Sequence, residues 1–349
     1  MQEDAPALSH ALDCAAAARA PPPPLAPFHA LKLLVIHAGL LGCAGVQTPA
    51  VLFAACHALR ELRLCGTQPC TACAFASALA STQPPLVSLQ LRHTRFEADD
   101  PGSAAALGAA VAALPELVDF RFLGALSKHY RGAAREVLVP LGRRGALTSL
   151  SFHDTAAGDL FEMFPRFPHL RELVVEASCA AVQAAPVAAA LQALPALTSL
   201  TFVRAALSGA GMLALAEALA AVPSLRSLEI GGEELTSEDV VAFSAAFPAL
   251  QHLERLAVLF GVGNAAAAAL AQRASALAAL AVLDLSYHFL DDDAAHLLCQ
   301  GLCHCTALQV LGLGTGEVAT MCEDAVQQLR EALPAAQICT DALDDALDL

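Results

Sequence analysis

Leucine recurs along this chain in one arrangement. The pattern L-x-x-L-x-L, with Phe, Ile or Val allowed, begins at Leu31, Leu59, Leu86, Leu117, Leu147, Leu170, Leu197, Leu225, Leu253, Leu280 and Leu308. Successive starts lie about 28 residues apart, with lengthened units from Leu86 and Leu117 and a shortened one from Leu147. Leucine abundance alone does not hold one period through eleven matches. Inside each match the apolar positions alternate, which is the period of a strand with one buried face. A small-residue turn follows, then an Ala/Leu run of helical length. In the unit from Leu197 these parts read LTSLTF, VRAALSGAG and MLALAEALAAVP, with Leu215, Leu219 and Val222 on one helical stripe. Pro84, Pro115, Pro168, Pro195 and Pro223 each stand two residues before the next leucine. Proline there ends a helix and prepares an extended segment.

One strand–helix unit cannot bury its own apolar face, whereas stacked units share a continuous core. The pattern therefore predicts an α/β solenoid: a horseshoe of about eleven repeats, with a parallel sheet on the concave face and helices on the convex face. The motif resembles the ribonuclease-inhibitor-like class of leucine-rich repeats, over about Phe28 to Leu333. That class carries Asn or Cys at the ninth position. Here the column reads Gly39, Thr67, Thr94, Ala125, Thr155, Ser178, Ala205, Glu233, Gly261, His288, Gly316. The hydroxyls of Thr67, Thr94, Thr155 and Ser178 partly replace the amide, so the turns of the later units are expected to be less tightly fixed.

The repeat sets the domain boundaries. Residues 1–27 form an Ala/Pro-rich lead, expected to be flexible and extended where proline clusters. Residues 28–333 are the leucine-rich-repeat domain. Residues 334–349, ending TDALDDALDL, form a short acidic amphipathic segment, read as a cap on the last repeat or a free tail. Two units break the period. The one from Leu117 carries Lys128, Arg131, Arg135, Arg143 and Arg144, and reads as a solvated outer helix or a secondary binding patch. The short one from Leu147 carries Phe152, Phe161, Phe164 and Phe167, and reads as a tight turn packed by phenylalanine.

Composition narrows the function. With 56% apolar and 15% charged residues, the chain is not of the disordered class. The absence of Trp and an aromatic content of 5% make the core aliphatic. The net charge is −15, yet residues 1–170 hold 13 basic and 13 acidic side chains, while residues 171–349 hold 6 and 21. Nucleic-acid binding needs clustered cations and is not expected. Twelve cysteines behind the acidic start MQEDAPALSH point to free thiols in a reducing, cytoplasmic setting. The uncharged run Leu33–Leu59 is long enough to span a bilayer, but it contains Gln47, Thr48, Pro49 and two histidines and fits the repeat, so no membrane partner is expected.

Reactive constellations are weak. Cys65, Cys70 and Cys73 with His57, and Cys299, Cys303 and Cys305 with His304, have a loose metal-ligand look, but tetrahedral convergence is not implied by the repeat frame. Asp291, Asp292 and Asp293 lack the spacing of a calcium loop. Gly312, Gly314 and Gly316 lack the Lys-Ser/Thr of a phosphate loop, and no G-x-S-x-G or H-E-x-x-H occurs. The expectation is a non-enzymatic chain with no cofactor, no metal and no small-molecule substrate.

The informative side chains are those that alternation sends away from the core. Position 5 of the motif brings Arg63, Arg121, Glu229 and Asp284; position 7 brings Arg92, His153 and Glu176. Arg63, Arg92 and Arg121 cluster in units two to four, and the acids follow in later units. This pattern reads as a bipolar groove, and the chain as an intracellular scaffold or adaptor that binds a protein partner on its concave face. Two alternatives rest on the resemblance. One is a Ran-type GTPase-activating regulator, which shares the fold and an acidic end but implies a functional Asn, and Asn264 is the single Asn in this chain. The other is the repeat region of a larger sensor or ubiquitin-ligase adaptor.

Overall fold

The computed structural model describes residues 30–37, 48–66, 69–92, 101–123, 133–154, 157–177, 184–203, 209–220, 222–232, 236–259, 263–286, 290–314 and 321–340. The chain divides into two compact units, residues 1–170 and 171–349. The boundary falls where the sequence changes from neutral to acidic.

The first unit alternates β1 (Leu33–His37), α1 (Thr48–Ala55), β2 (Glu61–Cys65), α2 (Pro69–Thr82), β3 (Ser88–Arg92), α3 (Pro101–Ala112), β4 (Asp119–Leu123), α4 (Ala133–Arg144) and β5 (Ser149–Asp154), and closes on a 3-10 helix, Ala157–Arg166. The second alternates β6 (Glu172–Ala177), α5 (Ala184–Gln192), β7 (Ser199–Val203), α6 (Gly209–Ala220), β8 (Ser227–Gly231), α7 (Ser237–Ser244), a 3-10 turn at Phe247–Ala249, β9 (Arg255–Leu259), α8 (Asn264–Ala274), β10 (Val282–Asp284), α9 (Asp292–Leu302), β11 (Val310–Gly312), α10 (Glu323–Ala332) and β12 (Gln337–Cys339). Strands are parallel and neighbour one another in chain order, β1 to β5 and β6 to β12. This is the α/β solenoid that the leucine pattern predicts. Twelve strands replace the eleven counted from the motif, because β12 lies in the C-terminal segment read as a cap or tail.

The first, fourth and sixth motif positions build the core. Leu59, Leu62 and Leu64 are fully buried, as are Leu197, Leu200 and Phe202. Leu215, Leu219 and Val222 are buried as well, on the helical side of the same unit. Two backbone devices recur whatever the side chains are. In the first, two successive amides of one repeat donate to a single carbonyl of the repeat before: Arg60 and Glu61 to Lys32, Thr198 and Ser199 to Arg171, Ala281 and Val282 to Glu254. In the second, the amide of the leading leucine closes a turn on the residue three before it, as in Leu170 to Phe167, Leu197 to Leu194 and Leu225 to Val222. Pro168, Pro195 and Pro223 occupy the second position of these turns, where the φ that the pyrrolidine ring imposes is the one the turn requires. Their role is to set a tight turn, a sharper one than the helix-stopping expected of them.

In the short repeat the helical segment, Ala157–Arg166, is a 3-10 helix, which rises about 2.0 Å per residue instead of the about 1.5 Å of an α-helix. Phe161 and Phe164 meet edge-on with centroids 5.3 Å apart, and Phe152 lies 5.9 Å from Phe164, so the aromatic cluster fills that layer. Two glycines permit close helix contact. A Cβ on Gly108 of α3 would lie 2.7 Å from the Glu136 carbonyl oxygen of α4, and one on Gly301 of α9 would lie 2.5 Å from the Ala271 carbonyl carbon of α8.

Of the uncharged run Leu33–Leu59, the described parts include β1 and the eight-residue α1, and no helix among the described residues is long and apolar enough to cross a membrane. The ninth-position column, from Gly39 to Gly316, lies outside the described residues.

Candidate interaction face

The positions that leave the core on strands β1 to β4 form a grid fixed by register. The lower row runs Leu33, Glu61, Ser88, Asp119; the middle row Val35, Arg63, Gln90, Arg121; the upper row Cys65, Arg92, Leu123. Neighbours within a row are about 4.8 Å apart and rows about 6.6 Å apart. Arg63 and Arg121 thus flank Gln90, and Arg92 stands one row above it. The structure brings together the three arginines that alternation singled out, and all three are exposed.

Each arginine is held from two residues below on its own strand. Arg63 donates to the Glu61 carboxylate from Nε at 2.9 Å and Nη2 at 2.6 Å. Arg121 Nε donates more loosely to Asp119 at 3.4 Å, while the second Asp119 oxygen accepts from Ser88 Oγ at 2.6 Å. Arg92 is different. With the Gln90 amide turned so that its oxygen faces the guanidinium, that oxygen accepts from Nε at 2.8 Å and Nη2 at 3.2 Å. The Gln90 clamp is neutral, so it orients Arg92 without offsetting its charge. Surface ion pairs such as Arg63–Glu61 contribute at most about 1 kcal/mol; their effect here is orientation.

Sequence reasoning missed these clamps, although their signal is plain. Glu61-Leu62-Arg63, Gln90-Leu91-Arg92 and Asp119-Phe120-Arg121 share one spacing, and residues two apart on a strand share a face. It also missed the apolar column on β1, where Leu33 is 42% and Val35 47% exposed. β1 is the first strand of the order, pairs with β2 alone among the described strands, and carries no Asp, Glu, Lys or Arg in its five residues.

The other expected residues are not gathered in this way. His153 is half-buried on β5. Glu176 and Glu229 are half-buried on β6 and β8 of the second unit, with β7 between those strands. Asp284 departs from the alternation expectation: it is 4% exposed, and its Oδ1 accepts from the Ser286 amide at 3.0 Å and from Ser286 Oγ at 2.6 Å. Its neighbours in register are Ala257 and Gly312, and they are buried too. The carboxylate is spent on its own strand end and is not presented at a surface.

In the irregular unit, Arg135 and Arg143 are exposed on α4, whereas the Arg144 guanidinium donates to the Leu114 and Pro115 carbonyls and ties α4 to the preceding turn. Lys128 and Arg131 lie outside the described residues. Eight cysteines with described side chains form no disulfide, and burial pushes the thiols of Cys56, Cys299 and Cys305 above their ordinary titration range. Among the described residues no three His, Cys, Asp or Glu side chains converge on a metal position. The single asparagine is engaged: Asn264 Nδ2 donates to Asp291, which also caps α9 by accepting from the Asp293 and Ala294 amides. A cleft of about 330 Å³ at the ends of α7 and α8 is lined by Ser244, Pro248, Gln272, Arg273 and Ser275 among others, with no carboxylate, histidine or cysteine.

Comparison with solved structures identifies the class. Rad7, solved in complex with Elc1 in yeast, superposes with a TM-score of 0.51 at 16% identity, over 91% of this chain and 82% of Rad7. A Bacteroides fragilis protein gives 0.47 at 16% identity, over 74% of this chain and 67% of that one. An internalin of Listeria monocytogenes gives 0.41 at 14% identity, over 89% and 80%. The fold is that of the leucine-rich-repeat proteins. No family model and no curated protein sequence matches the chain.

Proposed function

We propose that this chain is a non-enzymatic scaffold that binds a protein partner on the face its strands turn away from the helices, and that the first unit supplies the docking surface. The observation that carries this reading is the set of three exposed arginines on adjacent strands, each pre-oriented by a clamp on its own strand. Oriented donors lose less conformational freedom on binding than free side chains do. A chain of the same fold, Rad7, is solved in complex with another protein, which favours the scaffold reading. Eight cysteines that form no disulfide fit a reducing, intracellular setting.

The test is affinity capture from native extract with the wild type, the groove triple Arg63→Gln, Arg92→Gln, Arg121→Gln, and a charge-matched control of Arg135→Gln, Arg143→Gln, Arg330→Gln on exposed helix positions. The groove triple should lose the partner and the control should keep it. Equal loss in both would move the effect to overall charge, and retention in both would remove the first unit's strand face from the binding surface.

A further inference from the structure

The grid on β1 to β4 is more selective than a basic patch. Among the described residues, three guanidiniums face two carboxylates, Glu61 and Asp119, which leaves one net positive charge there, and the guanidinium held by a neutral clamp belongs to Arg92. A polyanion would bring many charges against an acidic lower row. A ligand with one or two carboxylates would meet the middle and upper rows without that repulsion. Directly beside Arg63 in register stands Val35, with Leu33 in the row below, and both are more than 40% exposed. These are the large apolar side chains that the first unit leaves exposed among its described residues. Covering exposed aliphatic surface of this kind is favourable, in proportion to the area removed from water.

From this juxtaposition we propose that the face binds an acidic peptide that also carries an aliphatic side chain, with its carboxylate among Arg63, Arg92 and Arg121 and its aliphatic group on Leu33 and Val35. The proposal rests on the scaffold reading and names the partner's chemistry. It excludes phosphate-rich ligands as the preferred class. Gln90, at the centre of the arginines, is two strands from Val35, about 10 Å. A peptide in polyproline-II form places residues three apart on one side and about 9 Å apart. The preferred spacing is therefore aliphatic-x-x-acidic, with the peptide lying across the strands. The clamps support selectivity as well: Glu61 and Asp119 hold Arg63 and Arg121 at fixed height and turn their remaining N–H groups toward a ligand carboxylate.

The full chain is applied to an array of twelve-residue peptides built from Leu, Asp, Glu, Lys, Ser and Gly, with acidic–aliphatic, acidic-only, aliphatic-only and basic–aliphatic sets. The tightest member is then titrated against wild type in solution, beside oligouridylate and polyphosphate. The acidic–aliphatic set should bind best. Its affinity should fall at least tenfold in the Arg63→Gln, Arg92→Gln, Arg121→Gln triple and about threefold in Leu33→Ser, Val35→Ser. It should weaken as salt is raised from low to several times physiological strength, as screening of exposed charges requires. Circular dichroism and elution volume confirm that each variant is folded. Equal binding of acidic-only peptides overturns the apolar half of the site; tighter binding of oligouridylate or polyphosphate, or no preference across the array, overturns the ligand class; unchanged affinity in a folded arginine triple overturns the location. If extract capture depends on the arginines while the array shows no acidic–aliphatic preference, the inference fails and the scaffold reading stands.

Discussion

The strand faces of the two units differ at the same motif columns. On β1 to β4, positions 5 and 7 include Val35, Arg63, Arg92 and Arg121, all exposed, with the clamp residue Gln90 buried between Arg63 and Arg121. On β9 to β11 the same columns hold Ala257, Leu259, Asp284, Ser286, Gly312 and Gly314, all buried, with Ala257 and Ser286 each at 1% exposure. One repeat thus serves two ends. In the first unit the column offers long cations held upright by neighbours on the same strand. On β9 to β11 of the second unit it is built mostly from small residues and one internally satisfied carboxylate, and is part of the protein's interior, while Glu176 and Glu229 on β6 and β8 are half-buried. Identity at a motif position does not determine exposure; the surroundings of the strand do.

Moving one charge between the units tests this difference most severely. Ala257→Arg places an arginine in the column that Arg63 occupies, but at a position only 1% exposed, where its bulk overpacks the layer although Glu229 and Asp284 flank it in register. It should destabilise by at least about 3 kcal/mol, read as a lowered urea midpoint. Val35→Arg, in the same column of β1, should change stability by no more than about 0.5 kcal/mol. Similar midpoints for the two variants would remove the distinction between the faces.

Asp284→Ala is the next largest. It leaves the Ser286 amide and hydroxyl without their acceptor in a buried site, which costs about 1–3 kcal/mol. Glu229→Ala, two strands away and half-buried, should cost less than Asp284→Ala by urea unfolding. The reverse order would mean that Asp284 is a surface charge after all.

Thiol chemistry sharpens the comparison by finding what the units share. Burial raises the Cys56 thiol in the first unit and the Cys299 and Cys305 thiols in the second. A raised thiol is less ionised at a given pH, so all three should alkylate more slowly than exposed Cys73 and Cys322 near neutrality, with the gap narrowing as pH rises. Mass spectrometry of iodoacetamide-treated native protein reads this directly. The linked stability has a fixed sign: with the folded-state value raised, the contribution is complete below the ordinary thiol range and is lost as pH rises through the raised range.

The smallest effect is expected where function is proposed. Arg63→Gln, Arg92→Gln and Arg121→Gln together should shift the urea midpoint little, because exposed pairs contribute at most about 1 kcal/mol each. A cooperative destabilisation well beyond that would make the clamps structural and would weaken their assignment to binding.

Much of this protein follows from its sequence alone, because the repeat is written in the chain at one-dimensional spacing. Leucines at positions 1, 4 and 6 specify which strand face is core. A period of about 28 residues specifies a strand and a helix per unit. Stacking then needs only neighbour-to-neighbour contacts. The backbone bonds from Arg60 and Glu61 to Lys32, repeated from unit to unit, are indifferent to side-chain identity, which is why a chain so rich in alanine still obeys the rule. The arginine grid was legible for the same reason, since strand period and register together bring Arg63, Arg92 and Arg121 into one patch. Other features needed three dimensions. Whether an outward position meets solvent depends on what lies over it, and Asp284 and Arg63 are equivalent in the motif yet opposite in exposure. The 3-10 form of the helix at Ala157–Arg166 is likewise absent from the spacing of the leucines. The neutral clamp of Gln90 on Arg92 came from the direction of one amide. Spacing along the chain specifies which residues share a face; desolvation and hydrogen-bond geometry, set only when the repeats pack, decide which of those residues remain available to a partner.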